Sequence, residues 1–490
     1  MGRRSPCPKS LTTSGLLGGA STEKSSSHTR REPSTVKNKL ALAAASAMAI
    51  TLLLAGCSAD TSSTSTDGGG GGDAASCTNK ITKTDLPTVS LWGWYPNMDK
   101  VVDNFNAGND EVQACWTNVG QGNDEYNKFQ TAISAGTGAP DVIMLEADRI
   151  PNYVVQNALV DISGFGVADV KDNFSAGAWK DVSVGDAVYG APVDGGPMGM
   201  IYRTDVFEKY GITPPTTWAE YEAAAQKVKD AGGPLFGDVG ANVPAVFMAL
   251  TIQNGATPFT YDPATPEEIG IKVNDDASKE VLDYWAGLVK KGLVGTQDQF
   301  TPEYISGVVG GDYATYVSAA WAPGYLTGAG VGEGDDAGKF AVAPLPQWDT
   351  ANPVSVNWGG SAFSVTSQSK QPELAAKVAL GIYADDASLA DGWQNQIIFP
   401  LNNNVLTSDE FVNAEVGFFN GQQANKEVYV PAADAYEGFT YSPFGSFYYA
   451  SFTEELAAIN NGEKTGSQAA DDLQKKLVDY ATEQGFTVTE

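Results

Sequence analysis

Strand and helix patterns alternate near the start of the globular part of the chain, and this alternation constrains the fold more than any other feature. A β-rich run at 88–92 precedes helical spacing at 98–105, and a strand pattern at 112–119 precedes a helix pattern at 124–135. A further apolar strand follows at 141–145. This order predicts a parallel sheet with helices packed on its faces, so we expect an α/β protein.

Later segments repeat the two patterns. Thr217 and Glu220 have the spacing of a capping box at the start of a helix with an apolar stripe. The last helix is predicted at 467–484, with Ser467 as its N-cap. Further strands are predicted at 199–202, 339–344 and 358–365, and a further helix at 371–384.

An apolar run at 40–55 follows two lysines and ends just before Gly56. It is short for a membrane span of about 20 residues but has the length of the apolar region of a secretory signal. The segment 54–57 (LAGC) resembles a bacterial lipobox, so we predict a lipoprotein signal peptide at 1–57, with an unusually long N-terminal extension. Cys57 is then the lipidated residue. The alternative is a plain signal peptide with an incidental cysteine.

The segment after the leader is rich in Ser, Thr and Gly, and we expect 58–84 to form a flexible tether. Two cysteines remain after the leader, Cys77 and Cys115. In an oxidising compartment they are expected to form one disulfide. A metal or redox pair is the alternative, but it lacks close spacing and any histidine nearby.

Histidine and charge exclude several classes of function. The one histidine, His28, lies in the leader, so a mature chain cannot use a histidine nucleophile pair, a histidine acid or base, or a histidine metal ligand. The formal net charge is −29, and no basic stripe could neutralise phosphates. We therefore expect no nucleic acid, no metal and no cofactor.

Five short segments, in this order and spacing, resemble the extracellular solute-binding proteins of ABC importers. The resemblance is to the carbohydrate-binding group that includes maltodextrin-binding protein, and it extends from about Pro87 to the C-terminus. The segments are 134–142 with Asp148-Arg149, 188–196 leading into 201–205, 214–218, 320–323 and 462–465.

The resemblance implies a two-lobe periplasmic-binding-protein-like fold. Parallel or mixed sheets would be flanked by helices, with the ligand cleft between the lobes at a multi-strand hinge. The implied segments are 85–191 and 343–392 for the first lobe, 195–338 and 393–490 for the second lobe, and 191–194 and 339–342 for the hinge.

A sugar offers hydroxyls, which carboxylates, amides and arginine can bind, and C–H faces, which stack on aromatic rings. The resemblance places a hydroxyl-binding carboxylate at Asp148 beside Arg149, and a stacking ring at Trp321. Helix capping is the alternative role for the polar residues, and core packing for the aromatic ones. The candidate ligand-binding residues are Trp94, Tyr95, Asn123, Glu146, Asp148, Arg149, Asp194, Gly195, Trp321, Trp358, Gly359 and Tyr441.

One departure from the maltodextrin pattern concerns the ligand. The aromatic residue that precedes the acidic and basic pair in that group is replaced by Leu145, while Trp94 and Tyr95 follow the first strand. Stacking is therefore expected to be arranged differently, which argues against maltodextrin itself.

These observations predict a lipid-anchored receptor on the extracellular face of the cell membrane, and not an enzyme. It would capture a carbohydrate, expected to be an oligosaccharide, by hinge closure and deliver it to the permease subunits of an ABC importer. We expect a monomer that meets the membrane through its lipid alone. The alternatives are a secreted glycoside hydrolase that uses two acids such as Glu146 and Asp194, or the same fold with a peptide, polyamine or metal as ligand.

Overall fold

The computed structural model describes residues 77–262, 264–396 and 398–489. The predicted signal peptide, Cys57 and most of the predicted tether lie outside these residues. Within the described ranges, no helix combines the length and the apolar character needed to cross a membrane.

The strands form one large sheet and two small ones. In chain order they are β1 (Thr88–Trp92), β2 (Gln113–Thr117), β3 (Val142–Glu146), β4 (Ser183–Val184), β5 (Ala187–Val188), β6 (Ala191–Arg203), β7 (Phe259–Tyr261), β8 (Glu268–Ile271), β9 (Thr315–Ala319), β10 (Phe340–Pro344), β11 (Asn357–Val365) and β12 (Thr487–Thr489).

The α-helices flank these sheets. In chain order they are α1 (Met98–Gly108), α2 (Asn123–Ala135), α3 (Ile150–Val155), α4 (Val167–Val170), α5 (Ala176–Asp181), α6 (Thr204–Tyr210), α7 (Trp218–Asp230), α8 (Pro244–Gln253), α9 (Asp276–Lys290), α10 (Pro302–Gly310), α11 (Ala322–Gly328), α12 (Pro372–Gly381), α13 (Asp386–Asn395), α14 (Asn403–Leu406), α15 (Asp409–Val412), α16 (Val430–Asp434), α17 (Gly445–Asn460) and α18 (Gly466–Glu483).

The large sheet has a parallel part made of β2, β1 and β3 in spatial order. β11 pairs antiparallel with β3, and β6 pairs antiparallel with β11. Helices α1 and α12 pack against this part, as expected for a sheet with parallel strands, whose faces are covered by helices. The predicted α/β class and the predicted strand-helix order are confirmed.

The long strand β6 belongs to both lobes. Its residues 191–197 pair with β11, whereas residues 198–203 lie between β9 and β10. Thirteen residues extend about 40 Å, long enough to pass from one group of strands to the next. We call the part with β1, β2, β3 and β11 the first lobe, and the part with β9 and β10 the second lobe.

The second lobe contains a cluster of packed aromatic rings and a small sheet. The indole of Trp218 on α7 packs against Tyr221 and Trp285, with ring centroids 5.5 Å apart in both pairs. Helices α9, α17 and α18 pack together, and α18 also covers the small sheet of β7, β8 and β12. The apolar stripe predicted on α7 is therefore core.

The lobe boundaries implied by the resemblance remain a proposal, and the strand and helix contacts favour two adjustments. β10 pairs with the second-lobe half of β6, so we place the return to the first lobe at β11 and not at 343. Helix α13 packs on α1, and the amide of Phe399 donates to Asp194 in the first-lobe half of β6. We therefore propose that the chain stays in the first lobe from α13 at least as far as Phe399.

Helix capping agrees with the sequence in one place and differs in another. The capping box of Thr217 and Glu220 is confirmed. The prediction of Ser467 as the last N-cap is wrong, because the cap is Thr465, whose side chain accepts from the amide of Gln468. Ser467 instead donates its own amide to Asp283 on α9, over 2.9 Å.

Cys77 and Cys115 are joined in a disulfide. Since Cys115 lies on β2, the bond ties the first described residue to the edge of the large sheet. The side chain of Asn79 reinforces this attachment by donating to the carbonyl of Ala114 over 3.1 Å. The start of the described chain is thus fixed to the first lobe.

Candidate functional site

A small cavity lies where the two lobes meet, beyond the carboxyl end of β3. Glu146 ends that strand, and the turn Ala147–Arg149 follows at once. The cavity is lined by residues of this turn, of the start of β11 and of the second lobe. These are Glu146, Asp148, Ala245, Met248, Asn357, Trp358, Gly359, Gly360, Phe439, Tyr441 and Tyr449.

Glu146, Asp148 and Arg149 form what we call the carboxylate wall. Glu146 accepts a hydrogen bond from the Tyr126 hydroxyl over 2.9 Å, and Asp148 lies 3.5 Å from the Nε of Arg149. None of the three caps the helix that follows, so the capping alternative is wrong. Asp148 Oδ1 and Arg149 Nε are buried without a hydrogen-bond partner among the described residues. Such atoms suit a polar ligand in the cavity.

The electrostatics of this wall follow from burial. Burial raises the pKa of Glu146, and the charge of Asp148 raises it further, whereas Arg149 and the Tyr126 hydroxyl lower it. For Arg149, burial opposes the charge, but the neighbouring carboxylates raise its pKa above the usual value. The guanidinium therefore stays charged and offers fixed donors.

Arg149 also links the lobes. Its guanidinium carbon lies 5.1 Å from the ring centroid of Tyr126 and 5.2 Å from that of Tyr449, which belongs to α17 in the second lobe. Cation–π contacts of this kind hold an arginine plane in place without using its donors. The side chain is thus positioned and still able to bind a ligand.

Phe300, Trp321, Tyr325 and Trp358 form what we call the aromatic wall. The rings of Trp321 and Trp358 are 4.8 Å apart at 73°, and Trp321 Nε1 donates to the Trp358 carbonyl over 2.9 Å. Trp358 is 8% exposed and lines the cavity, whereas Trp321 is half-buried. Trp321 therefore presents more ring surface than Trp358.

Two glycines follow Trp358 and make this packing possible. Gly359 has a φ of 77° and Gly360 a φ of 102°, in the region that favours glycine. A Cβ at Gly359 would lie 3.3 Å from Trp321 Nε1. Gly359 was predicted to bind the ligand; in the structure it allows the Trp321 indole to approach the backbone closely.

A larger cleft of about 580 Å³ adjoins the small cavity and shares Phe439 and Tyr441 with it. Trp179 from the first lobe and Tyr261 from the second lobe also line this cleft. The predicted residue Tyr441 is therefore placed between the two spaces, with its side chain largely buried. A ligand longer than the cavity has room to continue into the cleft.

Tyr95, which we expected to stack on the ligand, lies in the core. It is 7% exposed, its hydroxyl bonds to Ser361, and its ring meets Phe363 and Tyr383 edge-on. Trp94 is half-buried and packs edge-on against Tyr126 at 5.6 Å, next to the carboxylate wall.

Three other predicted residues lie away from both spaces. Asp194 accepts from the Phe399 amide over 2.8 Å, and burial raises its pKa to about 8. Gly195 packs so closely on Leu401 that a Cβ would come within 2.6 Å of it. Both residues hold the segment after α13 on β6. Asn123 is the exposed first residue of α2 and lines neither space.

Sequence reasoning missed three residues at the site. Met248 lies on α8, which is apolar on all sides, so its spacing did not mark a face. Tyr449 belongs to an aromatic run in which helical phase alone separates cavity from core. Phe300 precedes the N-cap of α10 and carries no sequence signal for its position.

Two curated relatives are similar to this chain over half of its length or more. An arabinooligosaccharide-binding protein of Bacillus subtilis (strain 168) is 27% identical over 261 residues, covering 51% of this chain and 57% of the relative. A lactose-binding protein of Rhizobium radiobacter is 25% identical over 315 residues, covering 61% and 71%. The chain thus spans little more than half the length of the first relative.

Solved structures share the fold. The ABC transporter associated binding protein from B. animalis subsp. lactis Bl-04, in complex with β-1,6-galactobiose, has a TM-score of 0.70 at 26% identity, covering 83% of this chain and all of that one. The galacto-N-biose-/lacto-N-biose I-binding protein from Bifidobacterium longum, in complex with lacto-N-biose, has a TM-score of 0.72 at 23% identity, covering 82% and 99%. The two-lobe fold class is confirmed.

The family profile of bacterial extracellular solute-binding proteins matches residues 100–420. The match covers more than half of the chain and includes the carboxylate wall and the aromatic wall. The resemblance drawn from the five sequence segments is confirmed, and the protein belongs to the family of bacterial extracellular solute-binding proteins.

Proposed function

We propose that this protein is the extracellular binding component of an ABC importer and that its ligand is an oligosaccharide. One observation carries the proposal: the carboxylates of Glu146 and Asp148 and the rings of Trp358, Tyr441 and Tyr449 line a small cavity of about 20 Å³, which shares Tyr441 with a cleft of about 580 Å³ that has room for a saccharide. Carboxylates bind sugar hydroxyls, and aromatic rings cover sugar C–H faces. The names of the relatives, which bind arabinooligosaccharides and lactose, support the same class of ligand.

Capture proceeds by closure of the lobes on the ligand. Arg149 of the first lobe lies over Tyr449 of the second. Asp181 on α5 accepts from the hydroxyl of Tyr436 and the amide of Phe439 across the same gap. A ligand that adds contacts to both lobes shifts the equilibrium toward the closed form, which then docks on the permease subunits.

The proposal includes the location of the protein. Cys57 carries the lipid, the segment 58–76 is the tether, since Cys77 and Asn79 are held on β2, and the binding domain stands as a monomer on the extracellular face of the cell membrane. The lipobox-like LAGC segment behind an apolar run supports the anchor. Labelling cells with a radioactive fatty acid and comparing the wild type with Cys57→Ala tests it; an equally labelled variant would contradict it.

The ligand proposal is tested by a thermal-shift screen of residues 77–490. The panel contains arabino-, galacto- and malto-oligosaccharides and lactose, and each tube is then analysed by mass spectrometry. Because a ligand that binds the folded state alone raises its stability, we expect a shift of several degrees for one linkage class, with the glycan recovered intact. A panel without any shift would overturn the proposal.

A glycoside hydrolase remains the second candidate because of two acids. Glu146 and Asp194 lie on the strands at either side of β11, both opposite Ser361, and burial raises the pKa of each carboxyl. That chemistry requires both acids at the same ligand, one protonated and one ionised, but Asp194 lines neither space and accepts from the Phe399 amide. Membership in a family of binding proteins weighs against it, and a cleaved glycan in the mass spectrum would establish it.

A further inference from the structure

Phe300 is a large apolar side chain that remains in contact with solvent. It is 46% exposed, and the other large apolar side chains in this state among the described residues are the smaller Val309 and Val354. Single exposed apolar side chains are normal on protein surfaces, so the exposure of Phe300 becomes informative only through its backbone and its neighbours.

The backbone of Phe300 holds the ring in that place. Its φ is 62°, and the other non-glycine residues with positive φ in the described ranges are all asparagines. A bulky residue rarely adopts this conformation, and it persists where the neighbouring residues are fixed. The amide and carbonyl of Gln299 both bond to the side chain of Asn242, and Thr301 caps α10.

The ring lies at the outer end of the aromatic wall. Its centroid is 5.1 Å from Tyr325, 5.9 Å from Trp358 and 6.0 Å from Trp321. Trp358 lines the small cavity, whereas Phe300 does not. A sugar unit that stacks on Trp358 at the mouth of the cavity leaves the exposed part of Phe300 uncovered, and a connected unit can reach it.

We propose that Phe300 is a stacking platform for an outer sugar unit, which makes this protein a receptor for saccharides of three or more units and sets their length. The inference rests on the proposed function, because it assumes that a saccharide occupies the cavity. It adds to the proposed function an outer subsite and a preference for longer saccharides over disaccharides.

Calorimetric titration of four variants tests the inference against arabino-, galacto- and malto-oligosaccharides of two, three and four units. Phe300→Gly removes the ring and suits the left-handed backbone, so it keeps the fold. Phe300→Tyr keeps the ring, Phe300→Ala removes it by a second route, and Val309→Ala removes an exposed apolar side chain on α10, away from the aromatic wall.

The wild type is expected to bind the three- and four-unit members of one series more tightly than the two-unit member. Phe300→Gly and Phe300→Ala should weaken binding of the longer members about tenfold, or about 1.4 kcal/mol, and change that of the disaccharide less than about twofold. Phe300→Tyr and Val309→Ala should resemble the wild type. Equal thermal unfolding of Phe300→Gly and wild type shows that the fold is kept.

Three results would overturn the inference. An equal loss for two and four units would place Phe300 in the inner site, and no loss at any length would remove it from the site. Both leave the proposed function standing, since the disaccharide still binds. A wild type that binds no saccharide of any length would reject the proposed function, and the outer subsite with it.

Discussion

The two walls of the site are held in place by different kinds of contact. In the carboxylate wall, directional polar and cation–π contacts fix each side chain: Glu146 has the Tyr126 hydroxyl, and Arg149 lies between the rings of Tyr126 and Tyr449. In the aromatic wall, the rings pack on one another, with a hydrogen bond from Trp321 to the carbonyl of Trp358. Charge is held by few strong contacts, and ring surface by many weak ones.

This contrast predicts unequal responses to substitution. Removing a partner from a buried charged group leaves the other group without compensation, which costs more than a typical neutral hydrogen bond. Removing one of four packed rings leaves the other three in place. One substitution in the carboxylate wall should therefore cause a large loss of saccharide affinity, and one substitution in the aromatic wall a smaller loss.

The largest effect is expected at the carboxylate wall. Asp148→Asn keeps the shape of the side chain and removes its charge, so a sugar hydroxyl loses its charged acceptor and Arg149 loses its ion pair. We expect affinity for the saccharide found in the screen to fall about 100-fold, or about 2.7 kcal/mol. Calorimetric titration measures it.

A matched control is Asp110→Asn, because the Asp110 side chain is 97% exposed and pairs with Lys83 away from the site. Its affinity should equal that of the wild type. If the two variants lost affinity equally, the effect would come from net charge and not from the wall, and the comparison between the walls would fail.

A smaller effect is expected at the aromatic wall. Trp321→Ala removes the half-buried ring that packs on Trp358 at 4.8 Å, and we expect a loss of about tenfold for every linkage that binds, since stacking depends on the sugar face more than on its hydroxyl pattern. Trp321→Phe keeps a ring but loses the bond to the Trp358 carbonyl. It should recover most of the affinity.

If Trp321→Phe bound as weakly as Trp321→Ala, the indole would act by positioning Trp358 and not by stacking. The thermal midpoint of each variant separates lost binding from lost packing. A loss larger than that of Asp148→Asn would reverse the order of the two walls.

The sequence predicted the elements of the first lobe well, and its main error in the fold concerns β6. The strand β1 has the predicted limits, whereas β6 was expected at 199–202 and runs from Ala191 to Arg203. The stretch APVDGGPMG contains Pro and Gly, which normally interrupt a strand. Pairing with β11, β9 and β10 overrides that local preference, and no local pattern reports such pairing.

The site was predictable where a residue type followed a strand end and unpredictable where packing decided. Glu146, Asp148 and Trp358 line the cavity as their positions suggested. Tyr95 and Phe300 are both aromatic residues in loops, yet one is buried and the other is exposed. Long-range contacts with β11 separate them: Tyr95 lies under the strand against Phe363, and Phe300 lies at its outer end.

The smallest effect concerns a carboxyl that joins the lobes beside the walls. Asp181 accepts from the Tyr436 hydroxyl at 2.9 Å and from the Phe439 amide at 3.0 Å, while the adjacent Lys180 donates to the carbonyl of Gly438. The pKa of Asp181 is raised from the usual 3.8 to about 7. Burial is the main cause and the charge of Asp148 adds to it, while both hydrogen bonds and Lys180 act in the opposite direction.

The sign of the pH effect follows from that raised pKa. If opening of the lobes returns Asp181 to its usual pKa of 3.8, closure takes up a proton in the window between 3.8 and about 7. Closure, and with it saccharide affinity, should weaken as pH rises through this window and level off above it. Because the side chain is partly exposed and lines the larger cleft, solvent screening makes the change smaller than the two pKa values alone would give.

Asp181→Asn tests this effect, because the amide oxygen still accepts from Phe439 but does not titrate. Calorimetric titration at pH 5, 6, 7 and 8 should give a flatter affinity profile for the variant than for the wild type, and any contribution of Glu146, which is present in both proteins, cancels in the ratio. Identical profiles would show that Asp181 keeps its partners in the open form. Closure would then involve no proton uptake at Asp181, and the two walls would differ only through their contacts within the cavity.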